Sequence, residues 1–295
     1  MKILFLKFLY IFEAIILLLW ISLCKILGLE KASKVGGYIA ELLGPVTKFD
    51  KTAKNNLKKV FPNLNNKKLN IIKKNMWNNI GRNAGELIFA SKLNPYLDDK
   101  NRFTIIGEQY LQNIKKNNSG AILFSAHIGN WEICPLIMTK RGEEVTSIYR
   151  HANNPFAEKI IQNLRKGISL YAPKGPTGAK ILFKLLRQKK YAAILADQKL
   201  NEGELINFLG HPARTATAIA ELSIRLSIPI IPVHVERING VKFKYIIEKP
   251  IKKFNSNIQH KEKVLDLLNT VNSIIEKWIY KNPDQWLWIH NRWDK

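Results

Sequence analysis

The sequence predicts an α/β protein: a mixed, largely parallel sheet with helices on both faces, entered from an N-terminal membrane helix. Three observations lead there. From about residue 103, short apolar runs alternate with helical stretches, the pattern of parallel strands covered on both sides. Residues 3–24 are nearly all apolar, a length suited to one bilayer crossing. The chain has 295 residues of which 46% are apolar, enough for one large core or two smaller ones.

Taken in order, residues 1–29 read as an uncleaved anchor, spanning or deeply embedded. It centres on Ala14–Ile21 with Leu17-Leu18-Leu19-Trp20 and is followed by no small-residue cleavage site. Lys7 can snorkel, whereas Glu13 in such a segment is costly and also fits a helix lying in the interface. Lysines flank both ends, so the positive-inside rule gives little orientation. A basic domain with free cysteines fits the cytoplasmic side. The remainder, 30–295, reads as one domain: a helical lead-in 30–100, an α/β core 101–253, and a C-terminal helix with a Trp-rich tail 254–295. In the lead-in, Ile71, Asn75, Trp77, Ile80, Ala84, Leu87 and Ile88 form a partly apolar helical stripe, and Asn94-Pro95 ends it. Strands are expected at Phe103–Ile106, Ala121–Ser125, Val145–Tyr149, Ile168–Ala172, Tyr191–Ala196, Ile230–Val235 and Lys242–Ile247. The turn Arg237–Gly240 joins the last two as a hairpin. Helices are expected at Trp131–Met138, Pro155–Lys166, Thr177–Lys189 and Thr215–Leu226, and a long one carries Val264, Leu267, Leu268, Val271, Ile275, Trp278 and Ile279.

Charge narrows the function. A formal net charge of +24 calls for an anionic partner: nucleic acid, an acidic lipid surface or an acidic protein. No helix-turn-helix or aromatic RNA-binding strand motif is present, which argues against nucleic acid. Cys24 and Cys134 lack disulfide or metal spacing, the six histidines form no metal-ligand pair, and no metal or cofactor is expected. Gly175-Pro-Thr-Gly178-Ala-Lys180 lacks the spacing of a nucleotide phosphate loop.

The chemistry concentrates in Ser125-Ala126-His127-Ile128-Gly129-Asn130-Trp131-Glu132, which follows a predicted strand. On one continuous helix, positions five apart point about 140° away from each other, so His127 and Glu132 meet only across a turn. If they meet, Glu132 holds one ring nitrogen and leaves the other as a general base; the alternative is a strand-end histidine and a glutamate at a helix N-terminus. Asp197-Gln198 ends another buried strand, and ligands of such sheets sit beyond the strand carboxyl ends. Arg150, also at a strand end, suits a phosphate or a developing oxyanion. No Gly-x-Ser-x-Gly elbow supplies a serine nucleophile, so a hydroxyl to be activated belongs to the substrate.

With these motifs in hand, the chain resembles the lauroyl/myristoyl acyltransferases of late lipid A biosynthesis, similar to glycerolipid acyltransferases in their His-x-x-x-x-acid motif. The resemblance covers the N-terminal anchor, Asn56-Leu57 with Phe61-Pro62, residues 125–132, Tyr149-Arg150 with Asn154-Pro155, and Ala196-Asp197-Gln198. It continues through Phe208-Leu209-Gly210-His211-Pro212-Ala213 with Thr215, then Trp286-Leu287-Trp288-Ile289-His290 and Arg292-Trp293. Leu209 departs from the second aromatic common there. The resemblance implies a glycerolipid-acyltransferase-like fold. It implies transfer of an acyl chain from acyl-acyl carrier protein to a hydroxyl of a lipid A precursor of the Kdo2-lipid IVA type. His127 would be the general base and Glu132 its orienting carboxylate, with Gly129, Asn130, Arg150, Asp197 and Gln198 contacting substrate. It places the chain on anionic lipids of a bacterial inner membrane, catalytic domain on the cytoplasmic face. The alternative is acylation of another glycolipid or glycerophospholipid, such as a phosphatidylinositol mannoside.

Overall fold

A computed structural model of the protein describes residues 2–251 and 259–293. Helix α1 (Lys2–Leu43) is kinked at Gly28 (φ 74°, ψ 170°). Before the kink, Phe5, Phe8, Phe12, Ile15, Ile16 and Leu19 are exposed. The helix is long and apolar enough to cross a membrane. One side of it is covered, where Leu17, Trp20, Ile21 and Cys24 pack against Ile88, Ile160 and Leu164. Glu13 has a partner there: its carboxylate accepts a hydrogen bond from Asn154 Nδ2 at 2.9 Å, and the same amide donates to Tyr10 O at 2.8 Å.

After the kink, α1 lies against α3 (Asn66–Ala90), with α2 (Lys48–Val60) between them in the chain. The contact is backbone to backbone at two glycines. A Cβ on Gly81 would lie 2.0 Å from Gly36 O, and one on Gly36 would lie 2.3 Å from Gly81 O. Gly81→Ala therefore forces these helices apart. The expected loss is about 1–3 kcal/mol, the usual range for overpacking, read as a lower thermal unfolding midpoint.

A seven-stranded sheet follows, in the order β1-β9-β8-β2-β5-β3-β4. Its strands are β1 (Phe103–Ile106), β2 (Ala121–Ser125), β3 (Val145–Tyr149), β4 (Leu170–Pro173), β5 (Tyr191–Leu195), β8 (Ile230–Asn239) and β9 (Lys242–Ile247). β8, β2, β5, β3 and β4 run parallel; β9 turns back antiparallel on β8, and β1 runs parallel to β9. Side chains of β2 alternate between two cores. Ile122 and Phe124 enter the one that holds α2, α3, α7 (Pro176–Arg187), α8 (Ala218–Leu226), α9 (His260–Lys281) and the tryptophan tail. Ala121 and Leu123 enter the other, with Leu111 and Ile114 of α4 (Glu108–Lys116) and Leu136–Met138 of α5 (Leu136–Thr139). Burial on both faces explains why β2 reads as an unbroken apolar run.

The mixed, largely parallel sheet agrees with the sequence reading, and some details differ. The helix expected over Trp131–Met138 is a 3₁₀ turn, Trp131–Ile133, and the short α5, separated by Cys134-Pro135. Proline supplies no N–H to carry a helix through that point. An antiparallel hairpin, β6 (Lys199–Phe208) and β7 (His211–Thr215), stands apart from the main sheet and was not expected. Its two turn residues, Leu209 (φ 51°) and Gly210 (φ 80°), both have the positive φ that a tight hairpin demands. Thr215 completes β7, so the helix expected from Thr215 begins at Ala218. The boundary expected at 253/254 falls outside the described residues.

Candidate active site

β2 and β5 are paired in register, Ser125 against Leu195. Two residues beyond that pair on each strand stand His127 and Asp197, so the chain delivers them to the same level of the sheet's carboxyl edge. His127 Nδ1 lies 2.8 Å from Asp197 Oδ1, and His127 N–H donates to Asp197 Oδ2 at 2.9 Å. Trp286 Nε1 also donates to Oδ2, at 2.8 Å. Asp197 is fully buried. Burial pushes its carboxyl up, but the charge and hydrogen bonds of His127, with the field of His290, outweigh that and hold it far below the usual carboxylate range. An ionised Asp197 accepting from Nδ1 leaves His127 Nε2 with a lone pair.

Gln198, the next residue, faces that atom. Its Nε2 lies 3.2 Å from His127 Nε2 and 3.2 Å from His290 Nε2. The two imidazoles stand edge to face with centroids 5.1 Å apart, and the Trp131 ring lies 5.4 Å from His127. Asn56 of α2 fixes this tail by donating to Trp288 O at 2.8 Å and His290 O at 2.6 Å. Burial and the neighbouring His127 push His290 down to about 4. A histidine lowered in the folded state stabilises the fold above its unfolded value of 6.5, and that contribution is lost as pH falls from 6.5 through 4. His290→Gln should accordingly lose less thermal stability than the parent between pH 7 and pH 4, as measured by unfolding midpoints across that range.

Several residues expected at the site have other partners. Asp197, expected to contact substrate, is instead the fully buried partner of His127. Glu132 does not hold His127. The 3₁₀ turn carries its carboxylate to α6 (Pro155–Arg165), where Arg165 clasps it through Nε at 2.9 Å and Nη2 at 2.5 Å. Burial pulls the Arg165 guanidinium down, and Glu132 more than offsets it. Arg165 also stacks on Tyr149, 4.4 Å from the ring centroid, and its Nη1 is buried without a hydrogen-bond partner among the described residues. Gly129 and Asn130 make their hydrogen bonds to the scaffold, while Asn130 Oδ1 is buried without a partner among the described residues. Gly129 donates its N–H to Gln285 O at 3.1 Å, and its carbonyl accepts from Asn79 and Asn83 at 2.9 and 2.7 Å. Its φ of +57° and a Cβ that would lie 1.7 Å from Val235 O leave room only for glycine. Asn130 is fully buried and donates to Glu86 at 2.6 Å. Glu86 is in turn held by Arg237 at 2.5 and 2.9 Å, and Arg237 reaches Asn79 and Asn83. These residues form a rigid base beneath the turn that follows His127.

Arg150 is exposed and donates to Asn153 Oδ1 at 3.3 Å. Arg165, Trp286 and the Glu86–Arg237 network were not singled out as site residues from the sequence. Strand-end position pointed to Asp197, but nothing in residue spacing ties α6 or α3 to this turn.

Comparison with known proteins points to one family. Over 188 residues the chain is 21% identical to lipid A biosynthesis acyltransferase 2 of Shigella flexneri, a match covering 62% of this chain and 58% of that protein. A family profile described as bacterial lipid A biosynthesis acyltransferase matches residues 2–295, nearly the whole length, and on that match the chain belongs to this family of acyltransferases.

Proposed function

We propose that this acyltransferase moves a fatty acyl chain from acyl-acyl carrier protein to a hydroxyl of a lipid A precursor of the Kdo2-lipid IVA type. The observation that carries the reading is the His127–Asp197 pair at the strand edge, with Nε2 of His127 left as a base. His127 Nε2 takes the proton of the acceptor hydroxyl as its oxygen attacks the thioester carbon. The tetrahedral intermediate collapses with loss of the carrier thiolate. The imidazolium then returns its proton to that sulfur, so an ester and a free thiol form from a hydroxyl and a thioester. Asp197 stabilises the imidazolium by staying ionised. Gln198, which donates to the same nitrogen at rest, yields its place to the acceptor hydroxyl.

The oxyanion needs a donor. Gly129 N–H is already spent, so we assign this role to Arg165 Nη1, a buried donor still without a partner among the described residues. One well-placed donor of this kind is worth about 3–4 kcal/mol. Glu132 then acts by fixing the guanidinium plane and is a positioning residue. The work takes place at a bacterial inner membrane, with the catalytic domain on the cytoplasmic face, where the basic surface meets anionic lipids and an acidic carrier protein. The test is mass spectrometry of lipids after membranes containing the protein are incubated with acyl carrier protein bearing mixed chain lengths and a tetra-acylated precursor. One added acyl mass is the expected result and also names the chain length. No shift with any donor, from folded and membrane-bound protein, rejects this acceptor.

A further inference from the structure

The carboxyl ends of β2, β5, β3 and β4 follow one another along the sheet edge. They present His127, then Asp197, then Arg150, then Lys174. The last two are neighbours: Tyr149 pairs with Pro173, and Lys174 N–H donates to Tyr149 O at 3.0 Å. Both cations are exposed, and neither has a carboxylate partner among the described residues. The acids at this edge are taken elsewhere: Asp197 by His127 and Trp286, Glu132 by Arg165, and Glu158 by Tyr149, His151 and the Ala152 N–H. Like charges directly opposite on adjacent strands are destabilising, and an anion held between them would relieve that repulsion. Lys174 also acts on His290, helping to keep that ring neutral, so its charge reaches the site.

We propose that Arg150 and Lys174 form a subsite for a phosphate group, and that the group bound is a headgroup phosphate of the acceptor glycolipid. The proposal rests on the acyl-transfer reading above for the identity of the acceptor. Its geometry is that of a ruler. Adjacent strands lie about 4.8 Å apart, which puts Arg150 about 10 Å and Lys174 about 14 Å along the edge from His127. A hydroxyl on an acyl chain stands several bonds from a phosphate on the sugar that carries it. Anchoring the phosphate at β3 and β4 would leave that hydroxyl free to reach Nε2. The same chemistry could be offered by the phosphodiester of the carrier protein's pantetheine arm, and the experiment separates the two sources.

The full-length protein in detergent is assayed with the phosphorylated precursor and with the same lipid dephosphorylated. For the double substitution Arg150→Gln/Lys174→Gln, the preference for the phosphorylated acceptor, as a ratio of kcat/KM values, should fall by roughly tenfold per cation, as for one lost charge-assisted contact. The fall should appear in the acceptor KM. Lys184→Gln, on the solvent side of α7, should keep the preference. A rise confined to the donor KM would overturn the headgroup assignment and move the phosphate to the carrier arm. An equal fall in kcat on both acceptors, with KM intact, would overturn the subsite and make Arg150 an oxyanion group. An unaltered preference would overturn it outright. Equilibrium binding of the two lipids to His127→Ala protein is read separately. Phosphate-dependent binding to a protein whose parent shows no transfer would keep the subsite and reject acyl transfer. Phosphate-blind binding beside intact transfer in the parent would do the reverse.

Discussion

His127→Ala is expected to lower acyl transfer by about 10²–10⁴-fold, the range general-base catalysis supplies, while leaving fold and membrane association in place. The ring is not part of the core: its side chain is 14% exposed, and its contacts are Asp197, Gln198, Trp131 and His290 at the sheet edge. Removing it deprives the acceptor hydroxyl of the base we propose for it, and His290, lowered to about 4, is a weak substitute. What would remain is donor positioning and the oxyanion contact proposed for Arg165, which bounds the expected loss. The measurement is the initial rate of product formation beside a circular dichroism spectrum and a membrane-flotation profile. A folded, membrane-bound His127→Ala protein with the parent's rate would exclude His127 as the base.

Asp197→Asn should cost a comparable amount, up to about 10⁴-fold, the loss when the orienting aspartate of a serine-protease triad becomes asparagine. The cause lies in the donors around it. Oδ2 of Asp197 receives two N–H groups that cannot change role, the His127 main chain and Trp286 Nε1. An asparagine must turn its carbonyl oxygen toward them, which leaves its NH₂ facing His127 Nδ1. The ring then answers by carrying its proton on Nε2, and the lone pair that should take the hydroxyl proton is gone. Glu132→Gln should have a different signature: loosening Arg165, which Glu132 holds, should slow the reaction through the proposed oxyanion contact, with His127's tautomer unchanged. Comparing pH–rate profiles of the two variants separates these roles. A normal rate in Asp197→Asn beside an inactive Glu132→Gln would return the orienting role to Glu132.

The sequence made the sheet legible because β2 and most of β8 are buried on two faces and read as near-continuous apolar runs. The hairpin β6–β7 escaped notice because much of it is exposed and its alternation is broken by a register shift between Lys199 and Glu204. At the site, His127 and Asp197 could both be found as polar residues closing apolar strands. Their pairing could not, since it depends on β2 and β5 being neighbours across 70 residues of chain. The five-residue spacing of His127 and Glu132 left open whether the two side chains meet, and in the structure Glu132 is bonded to Arg165 instead. Spacing fixes how far apart two residues are along the chain, while the 3₁₀ turn decided which way the glutamate faces.

Asn154 joins two helices with one side chain: its Oδ1 caps α6 by accepting from Phe156 and Ala157, while its Nδ2 grips Glu13 and Tyr10 of the apolar helix. An anchor attached by a flexible leash lets a catalytic domain wander over the bilayer at any height and tilt. Here the apolar helix and the helix bearing Arg165 are pinned at a shared point, so with α1 embedded as proposed, the His127 site would keep a set elevation above the hydrocarbon. In that placement bilayer thickness would become an input: a helix that tilts to match a thicker or thinner membrane would carry α6, and the guanidinium at its end, along with it.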